Sequence, residues 1–124
     1  DIGPPERVYT DPATVFSAGF MGEINFVAGT GDGNAIATPL GPIPHNMVGD
    51  AHVAIRPEHL METEGVDLGQ ATVTDVAFFG TFCRVTLAAK TGTLFAQVPP
   101  ERAPRHGDTV TLTTDPKHMK VFAR

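Results

Sequence analysis

Ala71-Thr72-Val73-Thr74-Asp75-Val76-Ala77-Phe78-Phe79-Gly80 is the stretch on which the fold turns. Its apolar residues begin on odd positions, Ala71 and Val73, and continue on even ones, Val76 and Phe78. A regular strand sends successive side chains to opposite faces, so this slip marks an inserted residue that switches which face points inward. A bulge bends its strand, and strongly bent strands close small barrels. Around this segment, unbroken alternation appears in Glu23-Ile24-Asn25-Phe26-Val27-Ala28, His52-Val53-Ala54-Ile55-Arg56, Cys83-Arg84-Val85-Thr86-Leu87, Thr93-Leu94-Phe95-Ala96-Gln97-Val98 and Thr109-Val110-Thr111-Leu112-Thr113. Each reads as a half-buried strand. Turn signals separate them: Gly31-Asp32-Gly33, Pro42-Ile43-Pro44, Glu64-Gly65, Thr91-Gly92, His106-Gly107-Asp108 and Asp115-Pro116. The pattern predicts an all-β domain, a small sandwich or barrel.

The 124 residues suit one domain, and 41% hydrophobic against 19% charged residues exclude disorder along the whole chain. A helix is predicted over residues 11–20, with Asp11 as its cap, Pro12 in the first turn, and Val15, Phe16, Gly19 and Phe20 on one face. Residues 1–10, with Pro4 and Pro5, read as an extended arm. The expected division is therefore arm and helix over 1–21 and barrel over 22–124. The start lacks both Met and a signal-peptide pattern, which predicts a piece of a longer protein. Nine Lys and Arg against 14 Asp and Glu give a net charge of -5, and the cations are scattered along the sequence, so no nucleic-acid partner is expected. The longest apolar stretches fall short of the roughly 18–20 residues that span a bilayer, so no membrane insertion is expected. The single cysteine, Cys83, excludes an internal disulfide and points to a reducing compartment.

Chemistry-bearing patterns are sparse. No Lys follows a glycine, as a phosphate-cradling loop requires, and the glycines at 29, 31 and 33 lead into the strand-like Asn34-Ala35-Ile36-Ala37-Thr38, which makes them a hairpin turn. Ser17 lies within the predicted helix, outside the strained turn of a nucleophile elbow, and Cys83 shares a strand face with Val85 and Leu87, where burial would raise a thiol's pKa. His45, His52 and His59 are evenly spaced, but Pro42, Pro44, Gly49 and Pro57 break the intervening chain, so they read as scattered surface residues. No catalytic, cofactor-binding or metal-ligating residues are assigned. In Ala54-Ile55-Arg56-Pro57-Glu58 a strand ends in an Arg, a Pro stops it, and a carboxylate follows. Arg56 and Glu58 either clamp a neighbouring loop or subunit or form a solvated pair of little energetic weight. Phe78 and Phe79 are consecutive, so one faces outward unless the bulge turns both, and an outward aromatic beside Gly80 is a candidate interface anchor.

Several of these stretches together resemble one family. Residues 2–9 followed by 11–26 look like the passage of ABC importer ATP-binding subunits that leaves the nucleotide-binding domain and enters the C-terminal regulatory domain. Ala54-Ile55-Arg56-Pro57-Glu58, Phe78-Phe79-Gly80 with Arg84-Val85-Thr86-Leu87, Gly107-Asp108-Thr109-Val110-Thr111-Leu112 and Val121-Phe122 are similar to motifs of that domain. The resemblance implies an OB-like barrel of the TOBE type with one short N-terminal helix. It implies a non-catalytic regulatory and dimerisation module of the uptake class for polyamine, ferric iron or sugar, with Arg56, Glu58, Phe78 and Phe79 at the interface. ATP and Mg would act in the parent's ATPase domain rather than here. The implied partners are a second copy of the ATPase subunit and, through the other domain, the permease, which places the protein in the cytoplasm, peripheral to the membrane. The alternative is a domain that senses a small ligand, an oxyanion or a solute.

Overall fold

The computed structural model describes residues 24–123. The predicted helix over 11–20 with its Asp11 cap, the arm and the boundary at 21 lie outside the described residues. Nine strands follow in order: β1 (Asn25–Asp32), β2 (Ala35–Thr38), β3 (Gly41–Pro44), β4 (Val48–Ile55), β5 (Val66–Phe78), β6 (Cys83–Ala89), β7 (Gly92–Val98), β8 (Thr109–Thr114) and β9 (Lys120–Ala123). They form two antiparallel sheets, ordered β3-β2-β1-β4-β9 and β7-β6-β5-β8. As expected, each of the five alternating segments contributes a strand within the described residues, the first from Asn25 onward. Pro42-Ile43-Pro44, expected to be a turn, is instead most of β3. A Pro is tolerated there because β3 is an edge strand, where a missing ladder donor does no harm.

β5 carries two register shifts. One extra residue enters between Asp67 and Gln70 against β8, and another between Val73 and Asp75 against β6. The inward positions accordingly run Leu68, then Ala71 and Val73, then Val76. The second shift is the slip seen in the sequence; the first occurs at Gly69, whose φ of +84° suits a glycine. Just before β5, Gly65 (φ +139°) lies so tight on the chain that a Cβ would stand 2.2 Å from the Thr114 carbonyl oxygen.

The two sheets bury one core between them. Val27, Ile36 and Val53 come from the first sheet, and Val73, Val85 and Leu87 from the second, each at most 1% exposed. Complete burial of such side chains contributes about 1.5–3 kcal/mol apiece. Cys83 lies in the same cluster, as its strand position implies. Two polar links join the sheets. The buried Asn25 side chain donates to the Ile55 carbonyl (3.1 Å) and the Phe95 carbonyl (2.8 Å), and accepts from the Phe95 amide (2.8 Å). It thus gives one residue of β7 the donor and acceptor that a neighbouring strand would. Elsewhere Met61 bridges Thr113 in parallel, with the Thr113 amide donating to the Leu60 carbonyl and the Glu62 amide to the Thr113 carbonyl. That bridge runs the segment after β4 alongside β8. No helix among the described residues is long and apolar enough to cross a membrane.

Candidate functional site

Two short 3-10 turns, each begun by a proline, build the site. Pro57–His59 follows β4 and Pro116–His118 precedes β9. Proline lacks an amide donor and holds φ near the helical value, so it starts such a turn without cost. The ladder between β4 and β9, with Ala54 opposite Lys120, puts the turns side by side. The imidazoles of His59 and His118 then stack at 4.0 Å between centroids with 19° between planes.

Glu62 lies against both rings. Its Oε2 is 3.2 Å from His59 Nδ1 and 2.9 Å from His118 Nδ1, while Oε1 stands 3.1 Å from His118 Nδ1 and accepts from the Asp115 amide at 2.8 Å and the Thr114 hydroxyl at 3.4 Å. Partial burial pushes the Glu62 carboxyl up; the Asp115 amide and the two histidines outweigh it and hold the carboxyl down at about 2. Folding therefore favours the charged form. The stabilisation is fully present above about pH 4.5 and is lost as the pH falls through about 2. With the side chain 21% exposed, water screens part of this, and a loss of about 1–2 kcal/mol is expected across that window. Urea midpoints from neutral pH down to about pH 3 check it: Glu62→Gln should flatten the acid limb, and an acid limb as steep as the wild type's would refute this account of Glu62.

Beside this cluster a cleft of about 320 Å³ opens over Ile24, Ala54 and Phe122, with Arg56, Lys117 and Lys120 around it and both imidazoles in its wall. Its apolar floor belongs to a small second cluster, in which Ala54 and Phe122 pack with Ile24 and Phe26. The cations scattered in sequence are thus partly gathered in space, because the β4–β9 ladder sets Ala54, two residues before Arg56, opposite Lys120. The spacing of His45, His52 and His59 hid the histidine that does meet His59. The signal was the echo of Pro57-Glu58-His59 in Pro116-Lys117-His118.

Of the four residues singled out from the sequence, Arg56 and Glu58 meet each other, Nε to Oε2 at 2.8 Å, with side chains 48% and 36% exposed. Such a pair contributes less than about 1 kcal/mol. Phe78 ends β5 and Phe79 begins the β5–β6 turn of the other sheet, and both are exposed. Phe79 stacks on Phe82 at 5.3 Å and lies under the Arg84 guanidinium at 5.8 Å, which fixes its ring on the surface; Phe78 stands 67% exposed.

The family model for the TOBE domain matches residues 53–122, more than half of the sequence. The chain belongs to the TOBE domain family. Among curated relatives, this TOBE chain is 30% identical, over 98% of its length, to the sulfoquinovosyl glycerol transport ATP-binding protein SmoE of Agrobacterium fabrum, of which it covers 38%. It is 32% identical over 76% of its length to the spermidine/putrescine import ATP-binding protein PotA of Ruegeria pomeroyi, covering 29% of it. It is 30% identical over 98% of its length to the Fe(3+) ions import ATP-binding protein FbpC 1 of Pectobacterium atrosepticum, covering 37%. The TOBE chain therefore spans well under half of these ATP-binding subunits. Among solved structures, the cytoplasmic molybdate-binding protein ModG, with molybdate bound, superposes with a TM-score of 0.60 at 15% identity, over 81% of this chain and 96% of ModG. At that identity the likeness shows the fold alone, an OB-like barrel, as the TOBE resemblance implies. A TOBE domain is non-catalytic, and the chain resembles those of ABC importer ATP-binding subunits.

Proposed function

We propose that the chain is the C-terminal regulatory and dimerisation module of the ATP-binding subunit of an ABC importer for a solute such as a polyamine, ferric iron or a sugar. Nucleotide and Mg are handled by the parent's ATPase domain, and the whole works in the cytoplasm against its permease. The relatives' names support the parent; the observation that carries the dimerisation is the aromatic tip at Phe78 and Phe79. Two adjacent rings lie on the surface, one of them held flat by Phe82 and Arg84, as suits a hot spot that meets its own copy across a twofold axis. A charge placed there appears twice in a twofold interface, so Phe79→Glu should convert a dimer to a monomer. Light scattering reads this directly. Twice the chain mass for the wild type and one chain mass for Phe79→Glu are expected; a wild type that stays monomeric at several hundred micromolar would defeat the proposal for this chain.

The cleft favours a second reading, a small-ligand sensor. Arg56, Lys117 and Lys120 around an apolar floor suit an oxyanion or another small anion, although the chain as a whole is acidic. ModG, similar in fold, binds molybdate, which lends this reading support. A thermal-shift screen with molybdate, sulfate, phosphate and spermidine discriminates. A rise in midpoint with an anion that disappears in Lys120→Glu supports the anion reading, no rise with any of the three anions opposes it, and a rise with spermidine alone points to a cationic solute instead.

A further inference from the structure

We propose that His59, Glu62 and His118 form a binding site for one divalent transition-metal ion of the zinc, cobalt or nickel type. The two turns bring a nitrogen of each imidazole and a carboxylate oxygen within 4.8 Å of one another. Two imidazoles and a carboxylate are a donor set that such borderline ions take, with a remaining position for water or an outside ligand.

Three features support the assignment. The first is orientation. Glu62 Oε1 accepts from the Asp115 amide and the Thr114 hydroxyl, which holds the carboxylate with Oε2 toward both histidines and Oε1 also within reach of His118 Nδ1. Backbone and hydroxyl donors of this kind aim the ligating oxygen at metal sites. The second is spacing. Ligands at roughly 2.0–2.1 Å from a tetrahedral ion stand about 3.3 Å apart. The Glu62 oxygen already stands 3.2 and 2.9 Å from the two nitrogens, close to that spacing, so uptake of an ion asks mainly for a change in the attitude of the rings. The third is access. Both imidazoles line the cleft, which supplies the entry path and the outside ligand.

The rings now stack nearly parallel, and in that attitude their in-plane lone pairs do not converge on one point. Taking up the ion must turn them apart. At 28% and 32% exposure, neither ring is locked by packing. The ion then replaces the hydrogen bonds that each ring makes to Glu62, and ties the turn after β4 to the turn before β9.

The test is titration of the 124-residue chain with zinc chloride by calorimetry, together with the visible absorption of the cobalt form. One zinc per chain is expected, with His118→Ala and Glu62→Gln each weakening it by at least about tenfold and His106→Ala leaving it unchanged. The cobalt form should show the intense visible bands of a four- or five-coordinate ion. Circular dichroism melts of each variant establish that it folds; if Glu62→Gln does not, the partly exposed His118→Ala and His59→Ala decide. No zinc binding by the wild type overturns the proposal, as does binding that survives both histidine substitutions or disappears in His106→Ala. Because the readout is metal binding, failure here leaves the dimer and the anion cleft untouched, and their failure leaves this site standing.

Discussion

Gly65→Ala is expected to destabilise the domain by roughly 3 kcal/mol or more, among the largest effects of any single methyl added to it. Two costs combine. The backbone at Gly65 has φ +139°, where a Cβ is strained, and the added carbon would stand 2.2 Å from the Thr114 carbonyl oxygen and 2.5 Å from its carbon. The obstacle is backbone on a paired strand, since Val66 and Thr114 are partners in the β5–β8 ladder, so it cannot swing aside as a side-chain tip would. Relief requires β5 to lift from β8 at its first residue. Gly69→Ala isolates the first cost. That position also has positive φ, but nothing lies within 4 Å of its added carbon, so only the backbone strain of about 1–2 kcal/mol is expected. Urea unfolding of both variants gives the comparison. Equal losses at the two sites would mean that β5 yields easily at its start and that the close approach costs nothing.

The second large effect belongs to Asn25. Asn25→Ala removes three hydrogen bonds, two of them between the sheets, and leaves the Phe95 amide and carbonyl without their side-chain partner. At about 1 kcal/mol for each bond, with a further penalty for a stranded buried group, the expected loss is about 3 kcal/mol. Asn25→Asp is nearly the same size and should not rescue. It keeps the acceptor for the Phe95 amide but turns a negative charge toward the carbonyls of Ile55 and Phe95, in a site 3% exposed. Thr30→Ala, in the same strand as Asn25, breaks one exposed side-chain bond to Asp50 of β4 and should stay within about 0.5 kcal/mol. Equilibrium urea curves measure all three, and an Asn25→Ala midpoint close to that of Thr30→Ala would show that the Asn25 link adds nothing to the packing between the sheets.

How much of this was legible depends on whether the signal was local. Alternation is local, so the strands containing Val53, Val85, Leu94 and Leu112 stand where their spacing puts them. The shift at Thr74 could be read because it flips the parity of apolar residues within one strand. The shift at Gly69 flips it as well, but only Val66 and Leu68 lie before it, too short a run beside the Glu64-Gly65 turn signal to show the change. β3 was misread because proline is evidence for a turn by itself and evidence for an edge only when the neighbouring strands are known. Arg56 and Glu58 were found through a motif, and their ion pair was within reach of a two-residue separation. The meeting of His59 with His118 was not, since it depends on β4 pairing with β9 and on the Met61–Thr113 bridge, both set by the tertiary fold.

The prolines of β3 have a consequence for the behaviour of the protein at high concentration. Pro42 and Pro44 pair with Ala37 and Ala35, so both nitrogens point to the same side of the strand. Since the ladder to β2 is made, that side is the outer one, and it offers carbonyls but no amide donors at two consecutive outward positions. A strand arriving from another molecule finds no ladder to extend. The five-stranded sheet is thereby closed to end-on polymerisation at its β3 margin, and fibril growth by templating from that margin is blocked by covalent structure rather than by charge.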